Sequence, residues 1–340
     1  MRIALLSNPS SGRGRHAAAD EKARRTLARL GHEVVHLRAG SYEEARRAGT
    51  ALLDDGIDAL VVVGGDGMVH LGADVVATTP VPLGIVATGT GNDVARHFGL
   101  PRRDPQAAAR LIDDALCGRG RVADIDAIRA TRPDGSPVDD QHEWSLAVVS
   151  AGLDAAVNAR ANLLSWPAGE GRYLRAILPE LAALAPYGYR LTTDSGTWEG
   201  PALLLAAANT RYVGGGLDLA PGADPEDGLL EVLRLDPVGR ARLVGLPRKL
   251  LAGTHLDSPH VHLQRSRRVL IEALDERTGR DGGLRPPPHP YADGEPLAPL
   301  PLHLEAVGSA VRLLVARASG SAAGRAGDRG GVPGPDGARS

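Results

Sequence analysis

Short apolar runs alternate with amphipathic stretches through the first 120 or so residues of the 340-residue chain. Ile3 to Leu6, Glu33 to Leu37, Ala59 to Val63 and Leu83 to Val86 read as buried strands, and Ala17 to Leu30, Ser41 to Leu53 and Val69 to Thr78 carry the helical period between them. Ser41 followed by Glu44 has the form of a capping box, in which each side chain satisfies an orphan backbone donor of the other. This βαβ rhythm predicts a parallel sheet with helices on both faces, an architecture that binds ligands at the carboxyl ends of its strands. The glycine-rich stretches of this region all fall at those ends.

Past residue 122 the period changes. "EWSLAVVSAG", "YRLTTDSGTWEG", "ALLLAAANT", "GLLEVLRL", "RRVLIEAL" and "LHLEAV" are short alternating segments bounded by Gly, Pro and Asp, the pattern of an antiparallel sheet or sandwich. Gly171 to Ala185 and Gly239 to Ala252 are the helical exceptions. The fold class expected is therefore α/β + β: a doubly wound α/β domain over 1–122, with 305–317 available to complete it, then an antiparallel β-sandwich over 123–304. The stretch 275–291 reads as a mobile loop, and 318–340, rich in Gly, Ala and Arg, as a disordered tail.

Charge adds little direction: 39 basic residues against 41 acidic ones exclude a global field for nucleic acid or an anionic bilayer, so any phosphate or lipid recognition is local. Cys117 is the only cysteine, which excludes an internal disulfide; it reads as a small buried hydrophobe near a helix end. No apolar run approaches the roughly 20 residues of a membrane span, and the expectation is a soluble cytoplasmic protein without a transmembrane segment. The eleven histidines are scattered without metal-ligand spacing, and "HVH" at 260–262 reads as a strand edge.

Three strand-end loops share one chemistry: "NPSSGRGR" (8–15), "GGDGMVH" (64–70) and "ATGTGNDVAR" (87–96). Glycines leave backbone N–H groups bare and free to converge on an anion, and each loop enters a helix whose N-terminus adds partial positive charge. Together they predict a phosphate cradle. Neither a dinucleotide fingerprint nor a P-loop is present. Asp66, set among three glycines, can approach phosphates without a side-chain clash and hold a metal or a nucleophile; its plainer alternative is to cap the helix beginning at Met68. Asp93 divides between helix capping and a metal or phosphate role. Asp124 and Asp126 alternate with apolar neighbours and face one side of a strand, Asp124 being a further site candidate.

Taken jointly, "NPSSGRGR", "GGDGM", "PLGIVATGTGNDVAR" (82–96), "GGGLDLAPGADPEDGLLEV" (214–232) and "DGEP" (293–296) resemble the diacylglycerol kinase catalytic-domain family, in order over about residues 1–316. The resemblance implies ATP and Mg2+ as cofactors, with ATP in a cleft between the two domains. It places Asn8, Gly64, Gly65, Asp66, Gly67, Met68, Val69 and His70 at the nucleotide, with Thr90, Gly91 and Asn92 on the neighbouring loop and Arg13 and Arg15 near phosphate. It makes Asp66 the acid at the reacting phosphate and Glu295 the proton acceptor, although "DGEP" by itself is an ordinary hairpin turn. It also marks a magnesium loop, with Asp227 helped by Asp224 and Leu229.

The chain departs from that pattern at Met68, where the family commonly has a small hydroxyl residue, at Ala87, where it often has proline, and in a longer loop before Asp293. The acceptor implied by the resemblance is a lipid hydroxyl at a membrane surface, most simply diacylglycerol giving phosphatidic acid. The stretch "VGRARLVGLPRKLLAGTH" (238–255) fits either an interfacial helix or an ordinary amphipathic one. A nucleotide-binding regulator without catalysis is the alternative, motivated by Met68. An NAD kinase relative fits less well, because no adjacent Asn-Glu stands at "GTGND". No nucleic acid partner is expected, and a homodimer is left open.

Overall fold

The computed structural model describes residues 1–7, 15–138, 142–163, 175–176, 179–180, 185–239, 245–274 and 286–317. The N-terminal part contains β1 (Arg2–Ser7), α1 (Arg15–Arg29), β2 (Glu33–Arg38), α2 (Tyr42–Asp54), β3 (Ala59–Gly64), α3 (Asp66–Val76), β4 (Leu83–Ala87), α4 (Asp93–His97) and α5 (Pro105–Leu116). The chain continues through β5 (Arg121–Thr131), β6 (Trp144–Ser145), β7 (Val148–Gly152), α6 (Leu153–Leu163), β8 (Tyr187–Thr193), β9 (Gly196–Ala202) and β10 (Leu204–Ala208). It ends with β11 (Tyr212–Val213), β12 (Leu217–Asp218), β13 (Leu230–Leu235), α7 (Leu246–Ala252), β14 (Val261–Ser266), β15 (Arg268–Ala273), β16 (Tyr291–Ala292), β17 (Glu295–Pro296) and β18 (Leu302–Val315).

Strict alternation along β1 decides the layering. Ile3 and Leu5 pack with Val61, Val63, Leu27 and Ile112 under α1 and α5, while Ala4 and Leu6 pack with Leu60, Val62, Leu52 and Leu71 under α2 and α3. A strand covered on both faces must be apolar throughout, and all six residues of β3 are buried. The parallel order is β2-β1-β3-β4. Ser41 caps α2 by accepting from the Glu44 N–H, but the Glu44 carboxylate returns to the N–H of Gly40, one residue before the expected partner.

β18 joins the two halves. It lies parallel to β4 at Leu313, antiparallel to β5 along most of its length, and antiparallel to β15 at its other end. One sheet therefore runs β2-β1-β3-β4-β18-β15-β8-β9, and its second half faces a sheet ordered β14-β13-β10-β7-β16-β17. Leu191, Val269, Ile271, Leu302 and Leu304 from the first meet Val149, Leu205, Ala207, Leu230 and Val232 from the second. This is an α/β unit followed by a β-sandwich, with β18 common to both.

Two expectations change. Cys117 is exposed at the C-terminal cap of α5, its thiol near the Asp113 carboxylate, because the chain turns outward there through Gly118. The helix expected over 239–252 is confined, among the described residues, to α7, and most of that expected over 171–185 lies outside them, as do most of the 275–291 loop and the 318–340 tail. The described helices include none long and apolar enough to cross a membrane.

Candidate active site

β3 and β4 end side by side, and glycines let their following loops touch. A Cβ on Gly89 would stand 2.4 Å from the Gly65 Cα, and one on Gly64 would stand 2.4 Å from the Met68 Cγ. Gly65, Asp66 and Gly67 keep only slight exposure, whereas Met68, Val69 and His70 are buried. The expectation that the whole 64–70 loop meets a nucleotide is thereby corrected. Gly64 is buried too, the Met68 and Val69 N–H groups are spent on the Gly65 carbonyl, and the Met68 thioether lies in the core. The missing hydroxyl at Met68 faces the interior instead of the crevice.

Asp66 does not cap its own helix. Its Oδ2 accepts from the Asn92 N–H at 2.8 Å and its Oδ1 from the Asp93 N–H at 2.7 Å, so it caps α4 across the sheet edge. A Cβ on Gly91 would meet Asp66 Oδ2 at 2.5 Å, so a side chain there would displace the Asp66 carboxylate. Thr90 is exposed at the tip of the loop and Asn92 is buried with φ of 52°. Asp93 likewise leaves its own helix uncapped: its Oδ2 accepts from the Gly215 N–H at 2.9 Å, in the second half of the chain. Arg96 donates to the Gly215 carbonyl at 3.1 Å, and the Arg211 N–H donates to His97 at 3.2 Å. These bonds close one wall of a crevice between the two halves.

The other wall is the turn at 293–295. Asp293, with φ of 51°, accepts from the N–H groups of Leu146, Ala147 and Val148 at 2.9 to 3.0 Å and meets His70 Nδ1 at 3.4 Å. The turn thus docked, Glu295 reaches across to α3: its Oε1 would stand 2.6 Å from a Cβ on Gly67. Glu295, remote in sequence, thus lies against the residue that follows Asp66. Substituting Gly67 by Ala is expected to displace the Glu295 carboxylate and cut turnover at least tenfold. The urea midpoint should barely move, since a helical Gly→Ala change gains about 1 kcal/mol of propensity against the displaced side-chain tip.

Burial, then the neighbouring Asp93, pushes the Asp66 carboxyl up to about 7; burial also raises Asp93 and Glu295. The Asp93 Oδ1 and Asn92 Oδ1 are buried acceptors without a hydrogen-bond partner among the described residues. Crowded carboxylates favour a cation; Arg96, 3.9 Å from Asp93 Oδ1, answers part of that charge, and the acceptors left without a hydrogen bond fit a divalent metal. A folded-state value above the unfolded 3.8 means that the native protein binds the extra proton. The contribution of Asp66 to stability without added metal should therefore be full below about pH 4 and fall as pH rises toward about 7. The Asp66→Asn variant should lose less over that window, as read from urea midpoints.

Other expected site residues lie elsewhere. Asp124 is exposed and pairs across the ladder with Arg312 at 3.6 Å, and Arg312 also donates to the Pro80 carbonyl in the turn entering β4. That turn is at the opposite end of β4 from the glycine loops, so Asp124 is removed from the site. Asp126, two residues on, is buried because the 225–228 loop covers it, with Gly228 donating to it at 2.6 Å. In the expected magnesium loop, Asp224 accepts from the Glu226 N–H, and Asp227 accepts from the Leu229 N–H and pairs with Arg265. Asp227 thus already has a cation, and no hydrogen bond or ion pair among the described residues joins this loop to Asp66 or Glu295. Asn8 and Arg13 lie outside the described residues, and Arg15 opens α1.

Sequence reasoning missed Asp293 as the post of the turn, Gly215 as the partner of Asp93, and a cluster behind Glu295. There His70 Nε2 meets His142 Nδ1 at 3.1 Å, and Asp74 accepts from the Tyr42 hydroxyl at 2.7 Å and the Trp144 N–H at 2.9 Å. The histidines are not all scattered: the His70 to Asp74 spacing of i, i+4 on α3 was the available signal, while His142 gave none.

An α/β domain followed by a β-sandwich that shares β18 with it defines a two-domain α/β + β class of protein. Comparison with known proteins narrows it. Residues 2–125 match the diacylglycerol kinase catalytic domain, and residues 147–315 match the YegS C-terminal NAD kinase beta sandwich-like domain. A diacylglycerol kinase of Mycobacterium tuberculosis (strain H37Rv) is 38% identical over 321 residues, covering 92% of this chain and 94% of its own. A Stenotrophomonas maltophilia (strain K279a) protein named a probable lipid kinase YegS-like is 27% identical, covering 79% of this chain and 82% of its own. A solved Bacillus anthracis str. Sterne chain superposes with a TM-score of 0.70 at 20% identity, covering 92% of this chain and 96% of that one, a likeness in fold. Yeast NADH kinase does so at 0.51 and 11%, covering 94% and 84%, which extends the likeness in fold alone. The chain belongs to the diacylglycerol kinase catalytic-domain family of lipid kinases.

Proposed function

We propose that the chain transfers the γ-phosphate of ATP to a lipid hydroxyl, diacylglycerol being the acceptor and phosphatidic acid the product. The observation that supports this reading is the approach of Glu295, from the sandwich, to Gly67, the residue that follows Asp66 in the first turn of α3. Bare backbone at Gly65 and Gly67 and the positive end of α3 suit the phosphates. Asp66 and Asp93 would hold magnesium, which when bound supplies the positive charge that offsets both the acids and the phosphates. Glu295 takes the proton of the attacking hydroxyl, and burial, by raising its proton affinity, makes it a better base near neutral pH. The attack forms the new oxygen–phosphorus bond as ADP leaves with the electrons of the broken one.

The acceptor must come from a bilayer. Leu251 is 66% exposed on α7 beside exposed Arg248 and Lys249, a surface suited to shallow insertion among anionic headgroups. A lipid panel with products resolved by mass tests the reading: phosphatidic acid from diacylglycerol supports it. A phosphorylated water-soluble product would instead favour a nucleotide kinase. Tight ATP binding without any product across the panel would favour a regulator.

A further inference from the structure

His70, Asp74 and His142 play no part in the transfer proposed above, yet they converge behind Glu295. His70 and Asp74 stand one helical turn apart on α3, and His142 comes from the segment entering β6, in the other half of the chain. Among the described residues this is the one group of three His, Cys, Asp or Glu side chains whose ligand atoms all lie within 4.8 Å of one another. We propose that these three side chains bind a divalent first-row transition metal, zinc by preference, that staples α3 to the β-sandwich.

The geometry carries the proposal. Two imidazole nitrogens sharing one tetrahedral ion at about 2.0–2.1 Å each stand about 3.3 to 3.4 Å apart, a small adjustment from the spacing seen here. His70 Nε2 and His142 Nδ1 stand 3.1 Å apart. The outer shell is also built. Asp293 meets the other ring nitrogen of His70 at 3.4 Å, the carboxylate–histidine arrangement that fixes a ligand's tautomer and orientation. The Tyr42 hydroxyl and Trp144 N–H each hold one oxygen of Asp74, leaving a lone pair on either for an ion. Two imidazoles and a single carboxylate suit zinc or its neighbours and not magnesium, which takes oxygen ligands. The site is thus chemically distinct from the crevice acids Asp66 and Asp93. By gripping His70 it would hold Asp293, and through Asp293 the turn that carries Glu295.

The test uses the full chain, stripped with a chelator and titrated with cobalt(II), then zinc(II). The wild type should take up one equivalent of cobalt with visible ligand-field bands that zinc abolishes, and zinc should raise its melting temperature. The His142→Gln and Asp74→Asn variants should bind cobalt more weakly than the ~10- to 100-fold loss typical of an outer-shell change, and zinc should leave their melting temperatures unmoved. His262→Gln, which alters an exposed histidine paired with Asp236, should behave as the wild type. A wild type that stays colourless at saturating cobalt, or an unchanged titration in both His142→Gln and Asp74→Asn, overturns the proposal. These readouts do not involve phosphate transfer, so they stand or fall apart from the lipid kinase reading.

Discussion

Replacing Glu295 by Gln is expected to lower turnover by about 10²- to 10⁴-fold, the usual contribution of a positioned general base, while ATP binding stays within about twofold. Glutamine preserves the shape against Gly67 and removes only the ability to take a proton. The wild-type rate should also rise with pH through the raised Glu295 value, because the unprotonated form is the active base, and that limb should vanish in the variant. Rates measured by coupled ADP release across pH, with ATP affinity by calorimetry, check both parts. An alanine substitution would confuse the matter by opening space beside α3.

Asp66→Asn is expected to cost at least about 10³-fold in turnover, or about 4 kcal/mol of barrier. Two losses combine. The charge that would share the proposed magnesium with Asp93 disappears, and the amide must point its NH2 at one of the two backbone donors, Asn92 or Asp93, that the carboxylate now satisfies. The second loss loosens α4 and, through Asp93 and Gly215, the closed wall of the crevice. The variant should therefore lose the magnesium dependence of its ATP affinity, whereas Glu295→Gln should keep it. Calorimetric titrations of ATP with and without magnesium separate the two acids' roles.

Much of this site was legible from the chain. Glycines flanking Asp66 at the end of a continuous apolar run indicate a loop that must be bare, and the observed clashes of hypothetical Cβ atoms at Gly64, Gly67, Gly89 and Gly91 give the reason. Glu295 was legible only through the joint motif pattern, because a D-G-E-P turn has many uses. Local pattern could not show which members of the 64–70 loop face the crevice. Helix α3 begins at Asp66, and that early start rotates Met68, Val69 and His70 inward. Asp124 was misplaced for a related reason: period 2 gives a face of a strand, but Arg312 opposite and the loop over Asp126 decide which of two equivalent acids is covered. The Asp293–His70 contact spans 223 positions of sequence, and Asp93–Gly215 spans 122. Such pairings follow from β18 drawing the sandwich against β4, which no local period records.

The most direct measurement is transfer of label from γ-labelled ATP into organic-extractable lipid, with magnesium and diacylglycerol in mixed micelles, by the wild type and Glu295→Gln side by side. The account predicts labelled phosphatidic acid from the wild type and at least a 100-fold lower rate from the variant at equal ATP occupancy. Equal rates from the two proteins, or no labelled lipid from the wild type, would contradict it.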